Sequence, residues 1–317
     1  MFNMRKNYTV DQLKPEELYR LVDLFVLVWN EERSKVNEKT EWAFANSFSK
    51  ILVARNEENE LIGARGGIHW PLVFENKEVK CYQFHGTCVH PDYRRQGLFS
   101  LMNKEFLNIA KSDGFEFIFN VSVAASRLGY EKLGWKYLKG FHRLTKFHLM
   151  NFSSKNELTA NIKDRTEDII IPEDFFLKRE KQFKELIHTR YDETFLKWRL
   201  NNKTANYKVY QTDKAVVIYK ININKDKKEL IIGEVFLKEG KFREFSNAMK
   251  KLIKKEKPFL TYTYIYDTHP FYSFYLWFFF LPNPFHYHLN FGTKSLNDKT
   301  ALFENKWGIS FLDIDTF

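Results

Sequence analysis

Residues 89–98 are the part of this sequence whose residue types and spacing best suit ligand binding; they read Val-His-Pro-Asp-Tyr-Arg-Arg-Gln-Gly-Leu. They lie between a predicted strand and a predicted amphipathic helix. Gly97 lets the backbone approach a ligand closely, and the first amides of the following helix have no partners within that helix. With the helix dipole, these N–H groups favour a pyrophosphate, and Arg94 and Arg95 add positive charge beside it. The alternative is a plain basic turn that caps a helix.

A second motif covers residues 126–135, Ser-Arg-Leu-Gly-Tyr-Glu-Lys-Leu-Gly-Trp, and follows the next predicted strand. The two motifs in this order resemble the GNAT superfamily of acyl-CoA-dependent N-acyltransferases. The phosphate loop of that family reads Arg/Gln-x-x-Gly-x-Gly/Ala. In this sequence Arg94 and Gly97 match it, Gln96 lies in the variable pair, and Phe99 stands at the last position.

The later motif of the family reads Asn-x-x-Ala/Ser-x-x-hydrophobic-Tyr-x-x-x-Gly-Phe/Trp. The matching residues here are Ser126, Tyr130, Gly134 and Trp135. Val123 stands in place of the Asn, and Gly129 takes the hydrophobic position. The resemblance covers roughly residues 5–150.

The resemblance implies an acyl-CoA site at the end of the third predicted strand. In the family, this strand parts from its neighbour and its backbone pairs with the pantetheine arm; the corresponding residues here are Thr87, Cys88 and Val89. The Val89 amide would polarise the thioester carbonyl. Ser126 would contact the pantetheine or a nearby phosphate. The amides that would hold the pyrophosphate are those of Arg95, Gln96, Gly97, Leu98 and Phe99.

Two residues are candidates for proton transfer. The resemblance implies that Tyr130 protonates the leaving thiolate as a general acid, and a packing role for its ring is the alternative. For the base, His85 lies on the same predicted strand as Val89 and would share its face if no bulge intervenes. Histidine suits proton abstraction near neutral pH. A histidine that only packs, and a proton relay through water, are the alternatives, with Glu41 and His69 as weaker candidates.

The elements that must position these residues alternate along the first half. The patterns predict a helix from Pro15 to about Trp29, strands at 51–55, 61–74 and 79–89, and a helix from Leu98 to about Gly114. A buried strand at 115–121, a short helix at 126–133 and two closing strands at 135–149 follow.

The second half repeats this order of element types. After a polar stretch at 151–180, the patterns predict a helical stretch at 181–200, strands at 207–211, 215–223 and 229–237, a helix at 241–255, a strand at 259–266, an aromatic helix around 271–280 and two final strands. We therefore predict an α+β (mixed α/β) fold of two GNAT-like lobes, each a mixed, mostly antiparallel twisted sheet flanked by helices. The predicted domains are residues 1–150 for acyl-CoA binding, 151–180 as a linker, and 181–317 as a degenerate GNAT-like lobe.

The second predicted lobe lacks the phosphate-loop pattern of the first. Residues 238–241, Lys-Glu-Gly-Lys, stand where a phosphate loop would be. The resemblance to tandem members of the family implies that this lobe helps to wall the acceptor pocket. We interpret the lysines between residues 250 and 257 as the solvated face of a helix and not as a nucleic-acid site. We interpret the apolar run 271–281 as core or as a contact between lobes or subunits, with a membrane-facing patch as the minor alternative.

Composition places the chain among soluble globular proteins. Its 317 residues include 50 Lys+Arg against 40 Asp+Glu, a net charge of +10, and 44% are hydrophobic. The run 271–281 is shorter than the roughly 20 residues that a membrane span needs, so we expect no span. The only cysteines, Cys81 and Cys88, point to the cytoplasm. No metal-ligand spacing occurs, so we expect no metal.

These observations predict an acyl-CoA-dependent N-acetyltransferase. It would move an acetyl or other short acyl group from acetyl-CoA to the primary amine of a small molecule by direct attack. We expect no nucleic-acid partner, and a homodimer is left open. The alternatives are a non-catalytic acyl-CoA or ligand-binding protein with this fold, and an aminoacyl or long-acyl transferase of the peptidoglycan-bridge type.

Overall fold

The computed structural model describes residues 8–44, 48–122, 124–148, 171–282, 289–297 and 306–315. The chain forms two compact units. Unit 1 consists of Met1–Trp70, Val79–Tyr137 and Asn290–Thr300, and unit 2 consists of Pro71–Glu78, Leu138–Leu289 and Ala301–Phe317. Within the described residues, no helix is both long enough and apolar enough to cross a bilayer.

The sheet of unit 1 has the strand order β1-β2-β3-β4-β5-β14-β6. Its strands are Thr9–Gln12 (β1), Ser49–Arg55 (β2), Leu61–Phe74 (β3), Lys77–Val89 (β4), Phe117–Ser122 (β5), Lys136–Leu138 (β6) and Asn290–Ser295 (β14). The pairs β1–β2, β2–β3 and β5–β14 are antiparallel. The pair β4–β5 is parallel.

The helices of unit 1 are Leu18–Trp29 (α1), Arg33–Phe44 (α2), Leu98–Ser112 (α3) and Ala124–Lys132 (α4). Helix α3 connects the two parallel strands. Leu98, Met102, Phe106 and Ala110 recur every fourth residue along it and are all buried, so they form one apolar face toward the sheet. The chain leaves the helix at Gly114, whose φ of +79° lies in the left-handed region.

Unit 2 contains a second sheet of order β13-β7-β12-β11-β10-β9. Its strands are Phe141–Phe147 (β7), Lys208–Gln211 (β9), Ala215–Asn224 (β10), Lys227–Leu237 (β11), Leu260–Tyr266 (β12) and Leu281–Pro282 (β13). Its helices are Glu173–Phe183 (α5), Glu193–Leu200 (α6), Phe242–Glu256 (α7) and Tyr272–Trp277 (α8). A short strand, His188–Thr189 (β8), pairs with Leu72 and Val73 at the far end of β3.

The same connection occurs once in each unit. In unit 1 the parallel strands β4 and β5 are joined through α3, and in unit 2 the parallel strands β11 and β12 are joined through α7. The other strand pairs of the second sheet are antiparallel. The predicted fold class, two mixed and mostly antiparallel sheets flanked by helices, is confirmed.

Several local expectations differ from the structure. Helix α2 was not predicted, because its apolar residues, Val36 and the run Trp42–Phe44, lie mostly at its C-terminal end and the buried position between them is the polar Thr40. The single helix expected over 181–200 is wrong, since α5 ends at Phe183 and α6 begins at Glu193. Within the stretch interpreted as a linker, 173–180 belong to α5, and 151–170 lie outside the described residues.

Two strands pair far from where the sequence order suggests. Strand β7 pairs with β12 in the second sheet, and β14 pairs with β5 in the first. The chain therefore passes more than once between the two units. The division into residues 1–150 and 181–317 stays a prediction.

Phe106 is the residue on which the packing of α3 depends most. It is fully buried, its ring centroid lies 5.2 Å from that of Tyr82 and 5.1 Å from that of Phe84, and Gly67 leaves room for it. We expect Phe106→Ala to lower the free energy of unfolding by about 3–5 kcal/mol, measured by urea denaturation. Tyr19→Ala, at a position that is 64% exposed in the same unit, is the matched control and should change stability little. Equal losses in the two variants would contradict this account of the core.

Candidate functional site

The parallel strands β4 and β5 part before either of them ends. Their pairing covers only Cys81–Gln83 and Phe117–Phe119, whereas β4 continues to Val89 and β5 to Ser122. Beyond Gln83, the two strands leave a gap with backbone groups along its edges. An extended ligand chain could pair with these groups as an added strand would.

Gly86 changes the direction of the side chains along β4. Its φ is +56°, and a Cβ added there would lie 2.7 Å from the ring of Phe44. Its neighbour His85 contacts rings of α2, with centroid distances of 6.3 Å to Trp42 and 5.3 Å to Phe44. Val89 instead packs against the cluster that includes Leu98 and Met102 of α3. His85 and Val89 therefore do not share a face, because the left-handed Gly86 between them interrupts the alternation on which that expectation was conditional.

The loop between β4 and α3 is exposed and has an unusual backbone. Arg95 has a φ of +61° and Gly97 a φ of +85°. Left-handed residues alternating with ordinary ones turn successive N–H groups toward the same side and form an anion-binding concavity. A φ in this region is uncommon for a side chain such as that of Arg95, and such residues cluster at ligand sites.

Two side chains of the loop hold its shape. The Arg94 guanidinium donates to the Val89 carbonyl oxygen at 3.4 Å. The Gln96 amide nitrogen donates to the Asp92 carbonyl oxygen at 3.0 Å, and its oxygen accepts a hydrogen bond from the Tyr8 hydroxyl. Gln96 is thus engaged within the protein, while its backbone amide belongs to the exposed loop.

The N-terminus of α3 is open. Its N-cap is Gly97, and no side chain among the described residues caps the first turn. A Cβ added at Gly97 would meet no described atom within 4 Å, so the helix begins at an uncrowded position. Such a terminus carries unsatisfied N–H groups and a partial positive charge, which together favour an anion.

The corresponding terminus in unit 2 is closed. The Glu244 carboxylate, at the third position of α7, accepts from the amides of Glu239 at 3.0 Å and Lys241 at 3.3 Å. The side chain of Gln182 lies against Gly240. The carboxylate of Glu244 therefore lies at the N-terminus of α7, whereas the described residues place no such group at the N-terminus of α3.

Phe99 and Gly129 compensate for one another. The Phe99 ring lies over α4, and a Cβ added at Gly129 would be 2.9 Å from it. The family pattern has a small residue at the first position and a large one at the second, and this chain has the reverse. Phe99 therefore fills the space beside α4 and leaves the loop in front of Gly97 clear.

Tyr130 is buried in an aromatic cluster and is 3% exposed. Its ring centroid lies 5.2 Å from that of Phe99, 4.9 Å from that of Trp135 and 6.5 Å from that of Phe84. Its hydroxyl oxygen accepts a hydrogen bond from the Arg65 guanidinium. Because the oxygen is the acceptor in this bond, the phenol proton stays available for donation elsewhere.

Arg65 is a residue that the motifs did not reveal. Its side chain is fully buried, it donates to the Asn103 side-chain oxygen at 3.0 Å, and its guanidinium carbon lies 4.0 Å from the Phe84 ring centroid. Among the described residues, no carboxylate pairs with it. Burial lowers the pKa of the Arg65 guanidinium, although an arginine remains charged at neutral pH. The available signal was an arginine inside a strand that is otherwise apolar and glycine-rich, residues 61–68.

The remaining predicted residues lie near the gap. Thr87 is half-buried, and Cys88 is buried with its thiol pKa raised to about 12 by desolvation. The Cys88 sulfur is thus a poor nucleophile, and any role of Cys88 rests on its backbone. Ser126 is half-buried near the start of α4, and Val123 lies outside the described residues.

Comparison with known proteins identifies one family model and many structures. Residues 9–138 match the model described as an acetyltransferase (GNAT) domain. A search of curated protein sequences finds no significant match.

The similar structures share the fold at low sequence identity. A GCN5-related N-acetyltransferase from Anabaena variabilis aligns with a TM-score of 0.66 at 11% identity, over 94% of this chain and 75% of its own. One from Kribbella flavida aligns with a TM-score of 0.62 at 11% identity, over 93% and 72%. A conserved protein of unknown function from Enterococcus faecalis V583 aligns with a TM-score of 0.60 at 15% identity. The alignment covers 81% of this chain and 65% of the Enterococcus protein, so this chain spans less than two thirds of that protein's length.

The contrast between α3 and α7 gives a direct test of the open terminus. Ser100 of α3 stands at the helix position that Glu244 occupies in α7, and it is exposed. In Ser100→Glu the new carboxylate should cap the helix and repel a pyrophosphate. We expect at least a roughly tenfold weaker affinity for acetyl-CoA, measured as a smaller ligand-dependent rise in Tm, with an unchanged or higher Tm of the free protein.

Ser100→Gln is the matched control, because it has nearly the same shape and no charge. It should keep most of the thermal shift. If Ser100→Glu binds acetyl-CoA as tightly as the wild type, the phosphates do not lie at this terminus.

Proposed function

We propose that this chain transfers an acetyl or other short acyl group from acyl-CoA to a primary amine. The match of residues 9–138 to the model of an acetyltransferase (GNAT) domain supports this proposal. The observation that supports this most is the open N-terminus of α3, beside the point where β4 and β5 part. A diphosphate joined to an extended thioester arm has the shape and charge for these two features. In the proposed function, an acyl-transfer reaction takes place on a ligand held by these two features.

The loop would bind the diphosphate. The backbone amides from Arg95 to Phe99 would donate to its oxygens, with Arg94 and Arg95 supplying charge from exposed positions. Gln96 contributes by holding the loop, through its bonds to the Asp92 carbonyl and the Tyr8 hydroxyl. The pantetheine arm would then follow the backbone of Thr87, Cys88 and Val89 into the gap.

The reaction itself needs an oxyanion donor, an acid and a base. The amine nitrogen attacks the thioester carbonyl carbon, and the Val89 amide would stabilise the negative charge that develops on the carbonyl oxygen. When the C–S bond breaks, Tyr130 would give its proton to the thiolate, and solvent would later restore that proton. The amine loses its proton to a base, directly or through water.

Arg65 would help Tyr130 in this role. It donates to the phenol oxygen, and as a buried cation without a carboxylate partner among the described residues it would stabilise negative charge there once the proton has left. It is also fixed by Asn103 of α3, so it would orient the hydroxyl. We assign it as a positioning residue.

His85 is our candidate for the base. It is half-buried on β4, next to the gap and on the face that α2 covers. That face is opposite to the one on which Val89 packs, so an amine entering from the α2 side would meet His85 before it reaches the thioester. The acceptor is a small primary amine in this proposal.

Two residues that depart from the family pattern bear on the non-catalytic alternative: Phe99, whose ring would crowd the phosphate loop if it turned toward it, and Val123 in place of the Asn. Phe99 packs on Gly129 of α4 instead, and Val123 lies outside the described residues. The space at Gly97 stays open. A catalytic role is therefore the function that we propose.

Tyr130→Phe tests the general acid. The ring keeps its packing, so the thermal shift with acetyl-CoA should be unchanged, while kcat for thiol release from acetyl-CoA with a reactive amine should fall by about 10²–10⁴-fold. The assay is run against a panel of amino sugars and amino-acid derivatives to find the acceptor. An unchanged kcat would remove Tyr130 from the mechanism.

A double-mutant cycle tests whether Arg65 acts through Tyr130. Arg65→Met preserves much of the volume, removes the buried charge, and should lower kcat by at least about tenfold with little change in KM. In the Tyr130→Phe background, Arg65→Met should have no further effect on kcat, because the group it supports is already gone. Additive losses would show that Arg65 has a role independent of Tyr130, and Tm measurements would identify a variant that simply unfolds.

A further inference from the structure

The apolar run 271–281 in unit 2 is divided between core and surface. Phe271, Tyr275, Phe278 and Phe280 are buried and join the core cluster of this unit. Four other residues of the run are exposed, with exposures of 37% for Leu276, 60% for Trp277, 76% for Phe279 and 67% for Leu281. Large apolar side chains exposed together in this way mark an interaction surface.

The lysine cluster of α7 lies beside these exposed side chains. Lys250, Lys254 and Lys257 are spaced by four and three residues, so they share one face of the helix, and all three are exposed. They line a cavity of about 640 Å³ together with Trp277 and Phe279. The interpretation of the lysines as a plain solvated helix face does not account for this juxtaposition.

Lys146 of β7 adds a fourth cation to the same cavity. Its ammonium group donates to the Phe278 carbonyl oxygen at 2.7 Å and lies 5.7 Å from the Phe279 ring centroid. Burial, and then the charge of Lys250, lower the pKa of Lys146. No acidic side chain is among the described residues that line the cavity. The cations are thus held together without a counter-charge from this lining.

We propose that this basic–aromatic patch, formed by Lys146, Lys250, Lys254, Lys257, Trp277 and Phe279, docks on an anionic lipid surface. Lysines attract acidic headgroups, while the Trp and Phe side chains that protrude beside them enter the boundary between headgroups and acyl chains. Both requirements are met on one face. The patch contains none of the residues assigned to acyl-CoA, so it is independent of the proposed reaction.

Two other occupants fit the patch less well. A second copy of this chain, related by a two-fold axis, would bring the same four cations face to face. A single-stranded nucleic acid would stack successive bases on rings along a groove, and among the described residues that line this cavity only Trp277 and Phe279 are exposed rings. Two protruding rings beside four cations suit the boundary of an anionic lipid surface better.

Vesicle co-sedimentation of the full chain tests the proposal. We expect binding to vesicles of phosphatidylcholine mixed with phosphatidylglycerol, little binding to vesicles of phosphatidylcholine alone, and loss of binding in about 1 M salt, where the Debye length is about 3 Å. Lys250→Glu/Lys254→Glu should weaken binding by more than about tenfold, since each lysine near the surface contributes about fivefold. Trp277→Ser/Phe279→Asn should weaken it by about tenfold; Asn suits the φ of +65° at position 279.

Lys181→Glu/Lys203→Glu is the matched control, because it makes the same change in net charge at exposed positions outside the patch. It should bind almost as the wild type does. Unchanged Tm values and an unchanged thermal shift with acetyl-CoA identify the variants that are folded. The proposal is overturned by an absence of vesicle binding, by equal binding to neutral vesicles, by equal losses in the control, or by binding to a single-stranded oligonucleotide in place of vesicles.

Discussion

The first turn of α3 has no capping side chain among the described residues, and the binding that we propose for unit 1 depends on this electrostatic feature. A helix terminus without a capping side chain has N–H groups that need acceptors and a dipole that favours negative charge. Everything around it keeps that terminus accessible. Gly97 begins the helix without a side chain, Gln96 is held back by bonds within the loop, and Phe99 turns toward α4.

The second unit shows how little is needed to remove this property. It has the same parallel pair joined by a helix, and its strands β11 and β12 also pair over only part of their length, Glu229–Ile232 with Leu260–Thr263. Its helix terminus is closed by Glu244, which supplies the negative charge from within the chain. The two strand–helix–strand connections therefore differ at the third residue of the helix, which is Glu244 in α7 and Ser100 in α3. In our proposal this difference leaves only the terminus of α3 able to bind an anion. The residues that the second unit offers to a partner lie elsewhere, on the opposite end and outer face of α7.

Sequence reasoning found the features that depend on short stretches of chain. The loop, the apolar stripe of α3 and the second motif are all local, and the structure has an exposed loop and an α3 that begins at Leu98 as expected. It could not find Arg65, because its partners Asn103 and Tyr130 are 38 and 65 residues away. It also missed the change of face at Gly86, since a glycine within a strand pattern does not reveal the sign of its φ. The sequence patterns also did not predict α2, because its apolar residues lie mostly at its C-terminal end and one of its buried positions is a polar threonine.

Strand β14 has a consequence for how the molecule is made. It comes from residues 290–295, yet it lies between β5 and β6 in the sheet of the first unit. During translation the ribosome must therefore deliver most of the polypeptide before this sheet can close, and contacts so distant along the chain form slowly. A nascent chain that has emerged only as far as β6 carries every element of the binding loop but exposes the unpaired edge of β5. That edge stays available for pairing with other chains until residues 290–295 have been synthesised.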